Sequence, residues 1–325
     1  MEENEKKQTA GGRALAVGLA LAAAAALLTV GAVWFFSSRQ AGPAAMAAPG
    51  AVAEQTVRIF SPVQPVEAEA PVPAAAPVPA EEEPYGYEEV LAQEDGLLIA
   101  RIQGKRYRGF IALIDDPLRL RVGMCGAFGV SNGGKRLAQM ADEAGAVLAV
   151  NGGAFADPGG SGSGNLPIGN VIADGEVYWG GLDSTVGMDA EGTLHVGEFT
   201  SARCRELGLQ WALSYGPTLI ENGEIRPDLG TYMEEPRTAV GQRADGTVVL
   251  LNLQGRQAAA LGVTEQELAE IMAGYGCINA GNLDGGASSD MYYRGEYLNI
   301  SNSSGGPRPI PTCLLVMPAE GGDVS

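Results

Sequence analysis

The chain has 325 residues, with 39 acidic side chains, 21 basic ones and a single histidine. A formal net charge of −18 argues against a nucleic-acid binder, which needs a cationic surface to displace counterions from phosphates. One histidine, His195, excludes any site built from two or more and makes a Ser-His-Asp triad depend on that residue alone. Charged residues are only 18% and hydrophobic ones 46%, so most of the chain can bury a core.

Residues 14–36 carry no charge, proline or side-chain amide. As a helix they span roughly 30 Å of hydrocarbon. Trp34, Phe35 and Phe36 close the run, as aromatics do at a membrane interface. Lys6, Lys7 and Arg13 precede it and only Arg39 follows closely. The positive-inside rule then puts residues 1–13 in the cytoplasm and the rest outside. A cleaved signal peptide is the rival reading. Residues 37–84 hold nine of the 19 prolines and Phe60 as their one aromatic. Such a Pro/Ala/Glu-rich stretch cannot bury enough to fold and reads as an extended spacer.

Residues 85–320 have the composition of a folded domain. From residue 85 onward there are 16 basic and 30 acidic side chains, so the acidity belongs to the domain. Its signals are mainly β. Residues 97–102 and 107–114 flank Gly104-Lys105. Later apolar pairs flank Asp174-Gly175, Glu191-Gly192, Asn222-Gly223 and Asp245-Gly246. Asn-Gly and Asp-Gly supply the positive φ that tight hairpins need. Thr264-Glu265-Gln266-Glu267 is a capping box, followed by Leu268, Ile271, Met272 and Tyr275 at helical spacing. Leu137, Met140, Ala141 and Ala144 form a second helical stripe within 135–144. The expectation is an α+β fold: a single hairpin-rich, mixed β-sheet domain with a few packed helices, preceded by a transmembrane helix and a spacer.

Cys125, Cys204, Cys277 and Cys313 have no CxxC spacing, so a structural zinc site is disfavoured. Disulfide pairing and four buried free thiols stand as equal alternatives. His195 alternates with Leu194 and Val196 in an expected strand, which favours a structural role.

Three polar stretches exceed ordinary fold requirements. The apolar run 146–150 ends in Asn151-Gly152-Gly153, with Asp157 shortly after and a glycine-rich run at 159–164. Pro236-Arg237-Thr238 opens one hairpin strand, and Gln254-Gly255-Arg256 leaves its partner. Arginines so placed can hold a phosphate through bidentate hydrogen bonds. Asn282-Leu283-Asp284-Gly285-Gly286-Ala287-Ser288-Ser289 couples a carboxylate to a cradle of backbone and hydroxyl donors.

In order, NGGAFAD (151–157), PxGNxIxDG (167–175), SYGPTLIENGE (214–224), PRTAVGQ (236–242), QGRQ (254–257), TEQELAEIM (264–272) and NLDGGASS (282–289) resemble the phosphodiester glycosidase family. The resemblance runs over 146–316. It departs at Ala287, where the family has a third glycine, at Ala154, where an aromatic is frequent, and at Gln254, where an aspartate is common. It implies a hydrolase of sugar-1-phosphodiesters, cleaving between the anomeric carbon and the phosphate oxygen; with the apolar segment at 14–36, the expectation is an extracellular, membrane-anchored enzyme of cell-envelope or exopolysaccharide metabolism. Asp284 would be base, nucleophile or oxocarbenium stabiliser, and Asp157, then Glu235, the second carboxylate. Arg237 and Arg256 would bind the phosphate. Asn151, Gly152, Gly153, Asn282, Gly285, Gly286, Ser288 and Ser289 would hold substrate. No cofactor is required, though Asp284 and Asp157 are able to hold Ca²⁺ or Mg²⁺. A non-catalytic glycan-binding envelope protein and a metal-dependent phosphodiesterase cutting the P–O bond are the alternatives.

Overall fold

The computed structural model describes residues 86–129, 133–157 and 165–319. The expected cytoplasmic segment, the anchor at 14–36, the spacer at 37–84 and the glycine-rich run at 159–164 lie outside them. Among the described residues no helix is long and apolar enough to cross a membrane.

The expected hairpins form. Leu97–Gln103 pairs with Arg108–Ile114, Val171–Ala173 with Glu176–Trp179, Leu182–Met188 with Leu194–Thr200, Thr218–Glu221 with Glu224–Ile225, and Arg237–Arg243 with Val248–Leu253. At two of the turns both central residues have positive φ: Asp174 at 49° with Gly175 at 77°, and Asn222 at 52° with Gly223 at 85°. That is the backbone a two-residue hairpin requires.

Two details differ from expectation. The strands make three larger sheets and one two-stranded pair, and every strand pair among the described residues is antiparallel. Neighbouring strands joined by short turns must run antiparallel, because a parallel neighbour needs a crossover of a dozen residues or more.

The three sheets enclose one shared core. The eight-stranded sheet contributes Ile99, Phe110, Val240 and Leu250. One five-stranded sheet contributes Leu148, Val150, Leu314 and Val316, and the other Val186, Met188, Trp211 and Leu213. Each sheet is buried on its other face too, under one helix. Glu265–Gly274 packs Leu268, Ile271 and Met272 on Ala239, Val249 and Leu251. Leu137–Ala144 packs Leu137, Met140 and Ala141 on Ala149, Cys313 and Leu315. Ser201–Glu206 packs Cys204 on Ile172 and Ala212. Burial on both faces explains why Val248–Leu253 is buried at every position and apolar at all but Asn252.

The capping box is present. The Glu267 N–H donates to Thr264 Oγ1 at 3.1 Å, and the Thr264 N–H donates to Glu267 Oε2 at 2.9 Å. Leu137–Ala144 starts two residues later than the stripe suggests, because Lys135 bridges Ile310 in extended form. Its end at Gly145, φ 66°, is a left-handed cap. Ser201–Glu206 has no counterpart in the sequence reading. Six residues are too few for periodicity, and its signal was Thr200, whose Oγ1 accepts from Arg203 N.

All four cysteines are free and buried. Cys204 and Cys277 pack under different helices, while Cys125 and Cys313 share the third cluster, where Cys313 Sγ lies 3.9 Å from Met140 Sδ. Burial pushes the Cys204 thiol up to about 11 and raises Cys313 as well. An aromatic-disulfide reagent should therefore find no fast-reacting thiol in the native protein. Four should react after denaturation without reductant; fewer would mean a disulfide.

Candidate functional site

Strand Cys277–Leu283 belongs to the eight-stranded sheet, and Met291–Tyr293 to the five-stranded sheet that contains Leu148–Asn151. Residues 284–290 carry the chain from one to the other, and all but Ala287 are buried. A buried connection must satisfy its backbone internally. Here Asp284 N donates to Gly152 O at 3.0 Å, Gly286 N to Pro236 O at 2.9 Å and Ser288 N to Gly285 O at 3.1 Å. Asn151 holds both ends. Its Nδ2 donates to Asp284 O, and its Oδ1 accepts from Asp290 N at 3.2 Å and from Thr238 Oγ1 at 2.7 Å.

Two arginines flank the Gly285-Gly286 turn. Arg237 opens its strand and is almost wholly buried. Its Nη2 donates to Met233 O at 3.2 Å, and its Nη1 is 3.7 Å from Glu265 Oε1. A Cβ on Gly285 would lie 2.9 Å from Pro236 O and 3.9 Å from Arg237 Cδ. Arg256 is half-exposed, and its Nη2 donates to Glu235 Oε1 at 3.1 Å. A Cβ on Gly286 would lie 3.2 Å from that Nη2. Arg256 itself has φ 56°, a left-handed backbone that costs a non-glycine residue about 1 kcal/mol or more. Strain of this kind concentrates at functional sites.

On the other side of Asp284 stands a residue that the sequence reading missed. Arg308 Nη1 donates to Asp157 Oδ2 at 2.7 Å. Its Nε and Nη2 donate to Ser288 Oγ at 2.9 and 2.6 Å. Nη2 is 3.7 Å from Asp284 Oδ2, and the guanidinium carbon lies 5.0 Å from the centre of the Phe155 ring. The signal was an arginine fixed between Pro307 and Pro309 after Gly305-Gly306.

Asp284 Oδ1 accepts from Gly285 N at 2.8 Å, while Oδ2 is buried without a hydrogen-bond partner of ordinary geometry. Burial pushes its carboxyl up to about 6, against the pull of the Ser288 hydroxyl, Arg308 and the Gly285 N–H; Asp157 adds to the rise. Tyr215, also unanticipated, is held above the usual phenol range by burial and by Asp284, with Arg237 opposing. It precedes the cis Gly216–Pro217 bond. Asp290 is a third unanticipated group. Burial pushes it up to about 7, against Asn299 and Arg308. Its Oδ1 accepts from Asn299 Nδ2 at 3.0 Å.

Of the residues expected from sequence, Asp284, Asp157, Arg237, Arg256, Gly285, Gly286 and Ser288 meet around this turn. Asn151 spends its amide on the sheet junction. A Cβ on Gly152 would lie 2.6 Å from the Thr312 backbone, and one on Gly153 2.5 Å from Ser214 O. Those glycines thus permit chain-to-chain packing. Asn282 Nδ2 donates to Gly216 O at 2.9 Å, and its Oδ1 is a buried acceptor without a partner. Ser289 Oγ is likewise buried and unpartnered. Glu235 is the partner of Arg256, and His195 pairs with Asp189 at 2.8 Å in a hairpin of another sheet. Asp157 and Asp284, the carboxylates considered for a cation, both face Arg308. Among the described residues no group of three or more His, Cys, Asp or Glu side chains is placed to hold a metal.

A family model described as phosphodiester glycosidase matches residues 144–317, more than half of the chain. The chain belongs to this family. It is 27% identical over 226 residues to mouse N-acetylglucosamine-1-phosphodiester alpha-N-acetylglucosaminidase, covering 61% of this chain and 42% of that protein. It is 34% identical over 97 residues to the SPbeta prophage-derived uncharacterized protein YomE of Bacillus subtilis (strain 168), covering 28% of this chain and 15% of the relative. It thus spans less than half the length of either. Among solved structures, the zebrafish N-acetylglucosamine-1-phosphodiester alpha-N-acetylglucosaminidase catalytic domain auto-inhibited by its pro-peptide matches with a TM-score of 0.56 at 23% identity, over 72% of this chain and 86% of that one. A hypothetical protein from Synechocystis matches with a TM-score of 0.51 at 16% identity, over 70% and 63%.

Within the family pattern, the departure at position 287 is accommodated. Ala287 sits inside the short 3-10 turn Gly286–Ser288, where an L-residue is at home. The left-handed position, φ 60°, falls on Gly286.

The raised Asp290 gives a stability test. A carboxyl raised from 3.8 to about 7 contributes fully below about pH 4, and its contribution is lost as pH rises through about 7. Asp290→Asn should therefore gain stability relative to wild type from about pH 4 to about pH 8. The gain should be on the order of 2–4 kcal/mol, measured as the shift in urea midpoint across pH. A difference that stays flat with pH would contradict it.

Proposed function

We propose that this chain hydrolyses glycosyl phosphodiesters, breaking the bond between the anomeric carbon and the phosphate oxygen. The observation that carries the reading is the buried Asp284 carboxyl beside a glycine turn flanked by Arg237 and Arg256. Family membership and the activity for which the mouse relative is named support it.

The roles follow from the chemistry. The leaving phosphate monoester is stable as an anion, so cationic donors serve in place of a strong general acid. A guanidinium has five N–H donors in a planar fork. Arg256 is half-exposed and spends one on Glu235, which leaves an open edge for phosphate oxygens. Gly285 and Gly286 let the phosphate come close to the backbone. Asp284 faces the anomeric carbon and activates the attacking water or stabilises the oxocarbenium ion. The Tyr215 hydroxyl is a further polar group available to sugar hydroxyls.

We further propose that residues 14–36 anchor the chain in a membrane with the site outside, acting on phosphorylated glycans of the cell envelope or on exopolysaccharide. The apolar run, its aromatic end and the flanking charges support this placement.

Defined glycosyl phosphodiesters should be offered to wild type and Asp284→Asn in oxygen-18 water. The expected products are a sugar labelled at its anomeric hydroxyl and an unlabelled phosphate monoester; label in the phosphate would refute the bond assignment. Asp284→Asn should lower turnover by about 10²–10⁴ with an unchanged fold, and undiminished turnover removes the assigned role. The kcat/KM profile should fall on the acid side near pH 6, as Asp284 takes up its proton.

A further inference from the structure

We propose that Arg308 is a positioning residue of the site, a guanidinium locked by Asp157, Ser288 and Phe155 so that its Nη2 edge keeps Asp284 as the working carboxylate. This rests on the proposed glycosidase role for what it means in turnover, but its physical content is independent of any substrate.

The geometry fixes Arg308 on three sides. Asp157 takes Nη1, Ser288 Oγ takes both Nε and Nη2, and the Phe155 ring lies 5.0 Å from the guanidinium carbon. An arginine on a loop would otherwise sample many rotamers and lose entropy on ordering. The side chain is only 16% exposed, so its charge is little screened. Three of five donors are spent, and the remaining Nη2 hydrogen is on the side of Asp284 Oδ2, 3.7 Å away. That oxygen is otherwise unpartnered and buried. An isolated buried carboxylate is strongly disfavoured, so a nearby cation decides which form the site holds at neutral pH.

Among the surrounding side chains this task falls to Arg308 and the hydroxyl it positions. Burial opposes the ionised form of Asp284 most, and Asp157 adds to that; the Ser288 hydroxyl, which Arg308 itself positions, acts most in its favour, followed by Arg308 and the Gly285 N–H. Arg237 and Arg256 flank Gly285 and Gly286, but each has its own carboxylate, Glu265 and Glu235. Tyr215 faces the same cluster as a neutral phenol held above its usual range. Asp290 is within electrostatic reach of Arg308 and is pushed up to about 7 by burial.

A consequence concerns Asp157. Its Oδ2 is bound to Arg308 at 2.7 Å, so its negative charge is already answered. It acts through Arg308 and not as a second acid. The site therefore works with one free carboxylate, and the phosphate leaves as an anion held by arginine.

The test reads the Asp284 carboxyl directly. Protein labelled with carbon-13 at aspartate carboxyls is titrated by NMR, and the Asp284 signal is identified by its loss in Asp284→Asn. Arg308→Met, which removes the charge at similar length, should raise the titration midpoint of Asp284 by about one pH unit or more. Arg308→Lys should keep it near wild type. If Arg308→Met does not fold, Arg308→Gln carries the same expectation with a side chain that can still bond Ser288. A midpoint that does not move in a folded neutral variant overturns the proposal. The acid limb of kcat/KM should move up by the same interval in the neutral variants and return with lysine. A wild type inert toward every glycosyl phosphodiester would defeat the glycosidase reading alone, and the NMR midpoint would still decide the role of Arg308.

Discussion

The junction between two sheets is the constraint on which the site depends, and Asn151 closes it. One amide side chain ties the Asp284 carbonyl, the Asp290 N–H and the Thr238 hydroxyl. Those three groups belong to the start of the crossover, its end and a neighbouring strand of the eight-stranded sheet. Asn252 Nδ2 extends the network to Thr238 Oγ1 at 3.2 Å. Asn151 and Thr238 are satisfied together, as a stable buried network requires, while Asn252 Oδ1 is left buried without a partner. The carboxylate is thus positioned by backbone anchored at both ends, and a single amide holds the register of the crossover between them.

Packing sets the second layer. Gly152 passes against Thr312 and Gly153 against Ser214, with no room for a Cβ at either position. These contacts bring strand Leu148–Asn151 close enough for Asn151 to reach across. They also deliver the segment that carries Phe155 and Asp157 to Arg308. Of the glycines after Asn151 and Asp284, Gly152, Gly153 and Gly285 let backbone approach its neighbours closely, and Gly286 leaves room beside Arg256.

Much of this was legible in the residues. The hairpins announced themselves through Asp-Gly and Asn-Gly turns, and Thr264 with Glu267 marked a helix start that the structure places at Glu265. Those signals are local, so sequence carries them. What was not legible depends on contacts between distant segments. Arg308 touches residues 20 and 151 positions away, and no local spacing encodes that. The partition of the strands into three sheets around one core was hidden for a related reason. Strands buried on both faces lose the alternation that would tell inside from outside. Asn151 was read as a ligand for substrate because asparagine before two glycines looks the same in sequence whether its amide faces solvent or another strand.

Charge then has a specific meaning for turnover. The domain is strongly acidic, yet its site gathers Arg237, Arg256 and Arg308, each beside a carboxylate: Glu265, Glu235 and Asp157. Paired arginines give an oriented set of donors without a large net positive potential. A phosphodiester brings one negative charge, which such donors can accept. Its cleavage yields a monoester that carries close to two near neutral pH, as phosphate monoesters with a second pKa of about 6 do. The surrounding acidic field repels the product more than the substrate. On the proposed reaction, an acidic domain around a paired arginine centre would admit the diester and favour departure of the monoester, which a cationic pocket of equal donor count would retain.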